Sequence, residues 1–378
     1  MPEVHQLPPS EFGVEDTGPY GLFNQVPIPI ERGHDRQRII AVFGGSVAAN
    51  FWFTERRWRI LEETLNAIPE LEHVEPVDLN FAFGAYKQPQ QLMAASFFIS
   101  YLGQDVDVVV NIDGFNEIAL SWVNQCKGIA PSMPYALNMR AVATRIGATG
   151  PSDAAYNLAA HFRLRATRAR FASSWLADHL LSRWWLRASH HDGRSGLSAV
   201  PLERASAADT RESVIYEAAE RWERSSRHLW ALATAADAVY VHILQPNQYC
   251  DTGRTFTADE LSFAFSEAWY EQSAPLGYPL LLEGGRRLSD QGIDFVDATR
   301  LFDAVTETVY RDGDCHYTRL RKRMFAEEVA QQVATALRAR ELAAAAEGRT
   351  GPALRETPSG SFIEASDGAP RAGVAALP

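Results

Sequence analysis

The run DVDVVVNID at 105–113 constrains this chain most. Its consecutive valines leave no polar face, so a strand built from them must be covered on both sides, as in a parallel sheet between two helix layers. Four further short apolar runs share that character: RIIAVFG at 38–44, VEPVDLN at 74–80, AVYVHILQ at 238–245 and GIDFVDA from Gly292. Between them apolar residues recur at helical spacing. SVAANFWFTERRWRILEETLNAI, after Gly44 and Gly45, predicts one helix, QPQQLMAASFFISYL a second, and a last helix runs from about Arg319 to Ala346. Strands alternating with helices predict an α/β fold, a three-layer α/β/α sandwich around a five-stranded parallel sheet, with right-handed crossovers.

The interval between the third and fourth strands is far longer than a single crossover requires. It predicts a helical insertion over about 126–236, within one domain spanning 38–346. RLRATRARFASSWLADHLLSRWWLRA lies in it, with Phe171, Trp175, Leu176, Leu180 and Trp184 on one helical stripe. Residues 161–194 carry seven Arg against two Asp. This segment reads either as a cap helix that packs its aromatics on the sheet domain, or, over 161–187, as a contact for a membrane surface or acidic polymer. Residues 1–37 read as an irregular leader. Residues 347–378, with four Pro and five Gly, read as a disordered tail.

Charge and cysteine content narrow the function classes. Lys and Arg number 36 against 47 Asp and Glu, a net charge of −11 that argues against a nucleic-acid partner. No apolar run approaches the roughly 18 residues of a membrane span, and no signal peptide precedes the domain, so the chain as written reads as cytoplasmic, with export or a missing anchor left open. The three cysteines form no CxxC pattern, and Cys250 and Cys315 are positioned to pair only if the chain is exported.

In a parallel sheet the ligand site lies beyond the carboxyl ends of the strands, and the unusual residues fall there. Ser46 follows strand one behind two glycines at a helix start, where unpaired N–H groups face a developing oxyanion. A Ser N-cap has the same signature. Gly84 in FAFGAY follows strand two and Asn116 in NIDGFNE follows strand three; each alone is a turn residue, but together they supply oxyanion donors. His316 in YRDGDCHYT precedes the last helix, with Asp312 and Asp314 beside it, and reads as a base with its orienting carboxylate. Other patterns are weaker. GGSVAA with Asp78 lacks the G-x-G-x-x-G spacing of a dinucleotide loop, and FGGSVA follows the first strand, too early for the elbow of α/β-hydrolases. His190, His191 and Asp192 lack a second ligand cluster, so no metal is implied.

These four blocks, in this order, resemble the SGNH hydrolases, or GDSL-type esterases, over about 38–125 and 236–335. VFGGSVA with Ser46 corresponds to the nucleophile block, Gly45 standing where that family usually has Asp. FAFGAY corresponds to the glycine block, DGFNE with Gly114 and Asn116 to the Gly-x-Asn block, and DGDCH with His316 to the last block. There Gly313 occupies the usual Asp position, leaving Asp312 one residue too far and Asp314 one too near. HILQPNQY and VVVNIDGFNEIAL resemble segments of a bacterial branch of the family, and Gln245, Asn247 and Gln248 read either as facing the cleft or as a polar loop closing strand four. The resemblance implies a serine esterase acting on a small-molecule or saccharide ester without metal or organic cofactor. Its alternatives are an acyltransferase acting on a saccharide and a catalytically silent binding module.

Overall fold

The computed structural model describes residues 29–135, 203–206, 209–265 and 268–346. Most of the leader, the 161–194 segment with His190, His191 and Asp192, and the 347–378 tail lie outside the described residues. Five parallel strands form one sheet: β1 (Gln37–Gly44), β2 (Glu75–Asn80), β3 (Val108–Asp113), β4 (Val239–Leu244) and β5 (Asp294–Asp297), in the order β2-β1-β3-β4-β5. Val42 lies opposite Asn80 on one side and Val110 on the other. The chain winds outward from β1 to β2 and then returns to the other side of β1, which makes the β1/β3 crevice the switch point where such sheets bind ligands.

Side-chain alternation divides the core between two layers. Ile39, Ala41 and Phe43 point to one face, Ile40 and Val42 to the other, and all are fully buried. The first face is covered by α3 (Gln90–Ala95), α4 (Phe115–Cys126), α5 (Arg211–Ala235) and α7 (Ala268–Asp290). On the second lie α1 (Ser46–Trp58), α2 (Ile60–Asn66) and α8 (Arg319–Ala346), with the short α6 (Ala258–Phe263) between β4 and α7. Burying each such aliphatic side chain contributes roughly 1.5–3 kcal/mol, so the sheet is held from both sides. Helix α5, inside the interval read as an insertion, is itself part of the first layer.

Three local readings are corrected. The helix predicted after Ser46 is two helices, because Arg59 adopts a left-handed conformation (φ 51°). The break is stabilised by Glu55, whose carboxylate accepts the Leu61 N–H at 3.0 and 2.9 Å in place of a helical carbonyl. The helix predicted after strand two changes to a π-helical turn over Ser96–Tyr101, with Leu102 N–H bonding Phe97 O at 2.9 Å. The segment after strand four holds a long helix, α7, that the periodicity reading left unassigned, with Pro275 and Pro279 inside it. Among the described residues no helix is long and apolar enough to cross a membrane. Cys126, Cys250 and Cys315 are unpaired thiols.

Candidate active site

At the end of β1 the backbone turns sharply at Gly44, with φ +143°, and a Cβ there would lie 2.1 Å from the Ile112 carbonyl oxygen. Only glycine permits that approach. The turn leads through Gly45 to Ser46, the first residue of α1. The loop after β2 is tied to the same point, since Phe83 N–H bonds Gly44 O at 3.2 Å. From the end of β3, Asn116 reaches across and donates its amide N–H to Tyr86 O at 2.8 Å. The three strand ends therefore converge on Gly45, where a Cβ would lie 2.2 Å from Asn116 Nδ2 and 3.3 Å from Tyr86 O. At Gly84 a Cβ would meet nothing within 4 Å, so open space lies on that side of the loop.

His316 arrives from the loop between β5 and α8. Its Nε2 lies 2.8 Å from Ser46 Oγ and its Nδ1 2.9 Å from Asp312 Oδ2. With the proton on Nδ1 donated to Asp312, Nε2 is left to accept from the Ser46 hydroxyl. Asp312 Oδ1 also accepts the backbone N–H groups of Asp314 at 3.0 Å and His316 at 3.3 Å. Burial acts to raise Asp312, but the His316 hydrogen bond and the charges of His316 and Arg311 outweigh it and hold the carboxyl below its ordinary value. The irregular spacing is resolved by local conformation. Cys315 adopts φ 63°, and the extra residue between Asp312 and His316 is taken up in that turn. Asp314 is exposed and makes no bond to the imidazole nitrogens; Asp312 makes it. Ligand atoms of Asp312, Asp314 and His316 lie within 4.8 Å of one another, close enough for one cation to meet all three. Two of its members are already bonded to each other.

The residues after β4 serve the histidine loop. Gln248 donates to Asp312 O at 2.9 Å and Ala264 O at 2.8 Å. Asn247 accepts from Tyr249 N–H at 2.8 Å and donates to Cys250 Sγ at 3.0 Å. Gln245 is buried, its backbone oxygen accepting from Tyr278 Oη at 3.1 Å. Gln248 thus braces the histidine loop, and Asn247 the turn that follows β4.

Two groups escaped the sequence reading. Glu260, fully buried, accepts from Arg254 Nη2 (2.9 Å), Thr257 N–H (3.0 Å), Val309 N–H (2.8 Å) and Tyr310 N–H (3.1 Å), and so ties the α6 start to the loop that carries His316. TADE at 257–260, a Thr-x-x-Glu capping box, was its signal. The second group is a buried network with no local signature. Asp113 Oδ1 accepts from Trp222 Nε1 at 2.6 Å and lies 2.8 Å from His242 Nε2, while His242 Nδ1 lies 2.8 Å from Ser226 Oγ. In the loop after β2, Lys87 donates to Pro131 O and Met133 O at 2.5 and 2.7 Å, and burial lowers its pKa to about 7. Glu117 accepts from Gln88 N–H at 3.1 Å and Gly114 N–H at 2.8 Å, binding that loop to the α4 start.

The arrangement can deprotonate a serine next to amide donors. Comparison with protein-family models and with curated proteins finds no match to this chain.

Proposed function

We propose that this chain is a serine esterase of the SGNH type, hydrolysing an acyl or acetyl ester of a small molecule or carbohydrate. The observation that carries the reading is the Ser46–His316–Asp312 relay, with contacts of 2.8 and 2.9 Å at the carboxyl edge of the sheet. Supporting it, Asn116 stands beside the nucleophile turn with one amide N–H fixed on Tyr86 O, which orients the second. His316 Nε2 takes the Ser46 proton as Oγ attacks the ester carbonyl. The oxyanion is held by the Ser46 and Gly84 N–H groups and the Asn116 amide. Collapse breaks the bond to the alcohol, which leaves with the proton from His316. Water then gives a proton to His316, attacks the acyl carbon and releases the acid with Ser46 restored.

The test is intact-mass analysis after exposure to a fluorophosphonate, comparing the native chain with Ser46→Ala. One adduct on the native chain and none on the variant is expected, followed by turnover of acetylated sugars or short-chain esters. A folded native chain that takes no adduct overturns the proposal.

A further inference from the structure

Asn50 lies one turn into α1 and is largely buried. Its amide nitrogen donates to the Ser46 backbone carbonyl at 2.9 Å, and its amide oxygen accepts from Lys322 Nζ at 2.7 Å. Lys322 is in the first turn of α8, with its backbone N–H on Thr318 O at 2.9 Å. Thr318 follows His316 by two residues and is anchored by its N–H on Val309 O at 2.7 Å. A continuous path of hydrogen bonds therefore joins the nucleophile's residue to the segment that carries its base. An ammonium ion in this position faces Asn50 from α1, and Arg311 and Asp312 from the β5–α8 loop. Nothing in the relay chemistry requires a lysine there.

We propose that Lys322 is a positioning residue, which through Asn50 holds Ser46 Oγ within hydrogen-bond distance of His316 Nε2. This rests on the esterase reading of the same site. A displacement of about 1 Å between reacting groups costs on the order of 100-fold in rate, so a clamp between the helix that starts at Ser46 and the helix that follows His316 has a large effect without touching substrate. The clamp is also sensitive to pH. Burial first, and then the Arg311 charge, push the Lys322 ammonium down to about 8, against the opposing attraction of Asp312. Its charge is complete below that value and is lost as pH rises through it, so the rate should carry a descending alkaline limb there.

The experiment measures the rate constant for fluorophosphonate labelling of Ser46 from pH 6 to 10, in the native chain and in Lys322→Met, Lys322→Arg, Asn50→Ala and the Met/Ala double variant, each checked for folding by near-ultraviolet circular dichroism. Lys322→Met is expected to lose roughly 10- to 100-fold and to lack the limb. Lys322→Arg, permanently charged, should keep most of the rate and also lack the limb. The double variant should be no slower than Asn50→Ala, because both act through one contact. Wild-type labelling by Lys322→Met, multiplying effects in the double variant, or an unchanged limb in Lys322→Arg would each overturn the proposal. A native chain that takes no label overturns the esterase reading instead. The coupling is then read from the imidazole 15N resonances of His316, expected to shift in Lys322→Met and not in Lys322→Arg; resonances unmoved in Lys322→Met refute it.

Discussion

Gly45→Ala is the smallest change that tests the oxyanion geometry. The added Cβ would stand 2.2 Å from Asn116 Nδ2, where ordinary contact begins at 3.4 Å. One partner must therefore yield by more than 1 Å. The backbone at residue 45 is pinned by Ala49 N–H on Gly45 O at 3.1 Å, and Tyr86 O blocks a second direction at 3.3 Å. The Asn116 side chain is the softer element, so it swings off Tyr86 and out of the oxyanion position. Losing one such donor costs about 100- to 1000-fold in kcat, or about 2.7–4 kcal/mol of transition-state stabilisation. Stability should change little, because the displaced group is the end of a side chain. The assay is kcat on p-nitrophenyl acetate for Gly45→Ala, Asn116→Ala and the double variant. The two single variants should fall in the same range, and the double variant should be no worse than Asn116→Ala. Activity near native in a folded Gly45→Ala, or full multiplication of the two effects, refutes the argument.

Further predictions concern stability and its pH dependence. Burial alone would raise Glu260, but Arg254 and the backbone donors of Thr257, Val309 and Tyr310 prevail and lower it from 4.5 to about 2. A depressed acid stabilises the fold above its unfolded value and loses that contribution as pH falls through the folded one, here between 4.5 and about 2. At neutral pH this amounts to about 3 kcal/mol, so Glu260→Gln should lower the urea midpoint markedly at pH 7 and much less at pH 3; an equal gap at both values contradicts the assignment. His242→Leu leaves Asp113 without its imidazole partner and should cost about 3–5 kcal/mol in chemical denaturation. A loss below about 1 kcal/mol would refute a structural weight for this contact.

Much of the architecture was legible in the sequence because its strands are short, β-branched and buried on both faces, as Val108–Val110 illustrate. Helix α8 was legible to the residue. What escaped depended on conformations that single residues do not announce. Arg59 breaks a helix with neither glycine nor proline at the break, and α7 hides behind Pro275 and Pro279. Its packing rests on small residues, as at Gly285, where a Cβ would strike the Phe295 ring at 2.1 Å. Ser46, Gly84, Asn116 and His316 could be singled out because they sit at the ends of recognisable strands or just before a recognisable helix. The choice between Asp312 and Asp314 needed the left-handed turn at Cys315, and Lys322 and Glu260 act through contacts distant in sequence.

Ser226, His242 and Asp113 repeat the residue types and distances of the surface relay, with the imidazole reversed: the carboxylate on Nε2 and the hydroxyl on Nδ1. All three are closed to solvent, whereas Ser46 and Asp312 of the first relay are partly exposed. A template of atoms and distances would retrieve both, and only a path for a reagent tells them apart. Labelling stoichiometry thereby becomes a gauge of the interior: the first equivalent reports on the surface serine, and any second would time the opening of the layer between β4 and α5.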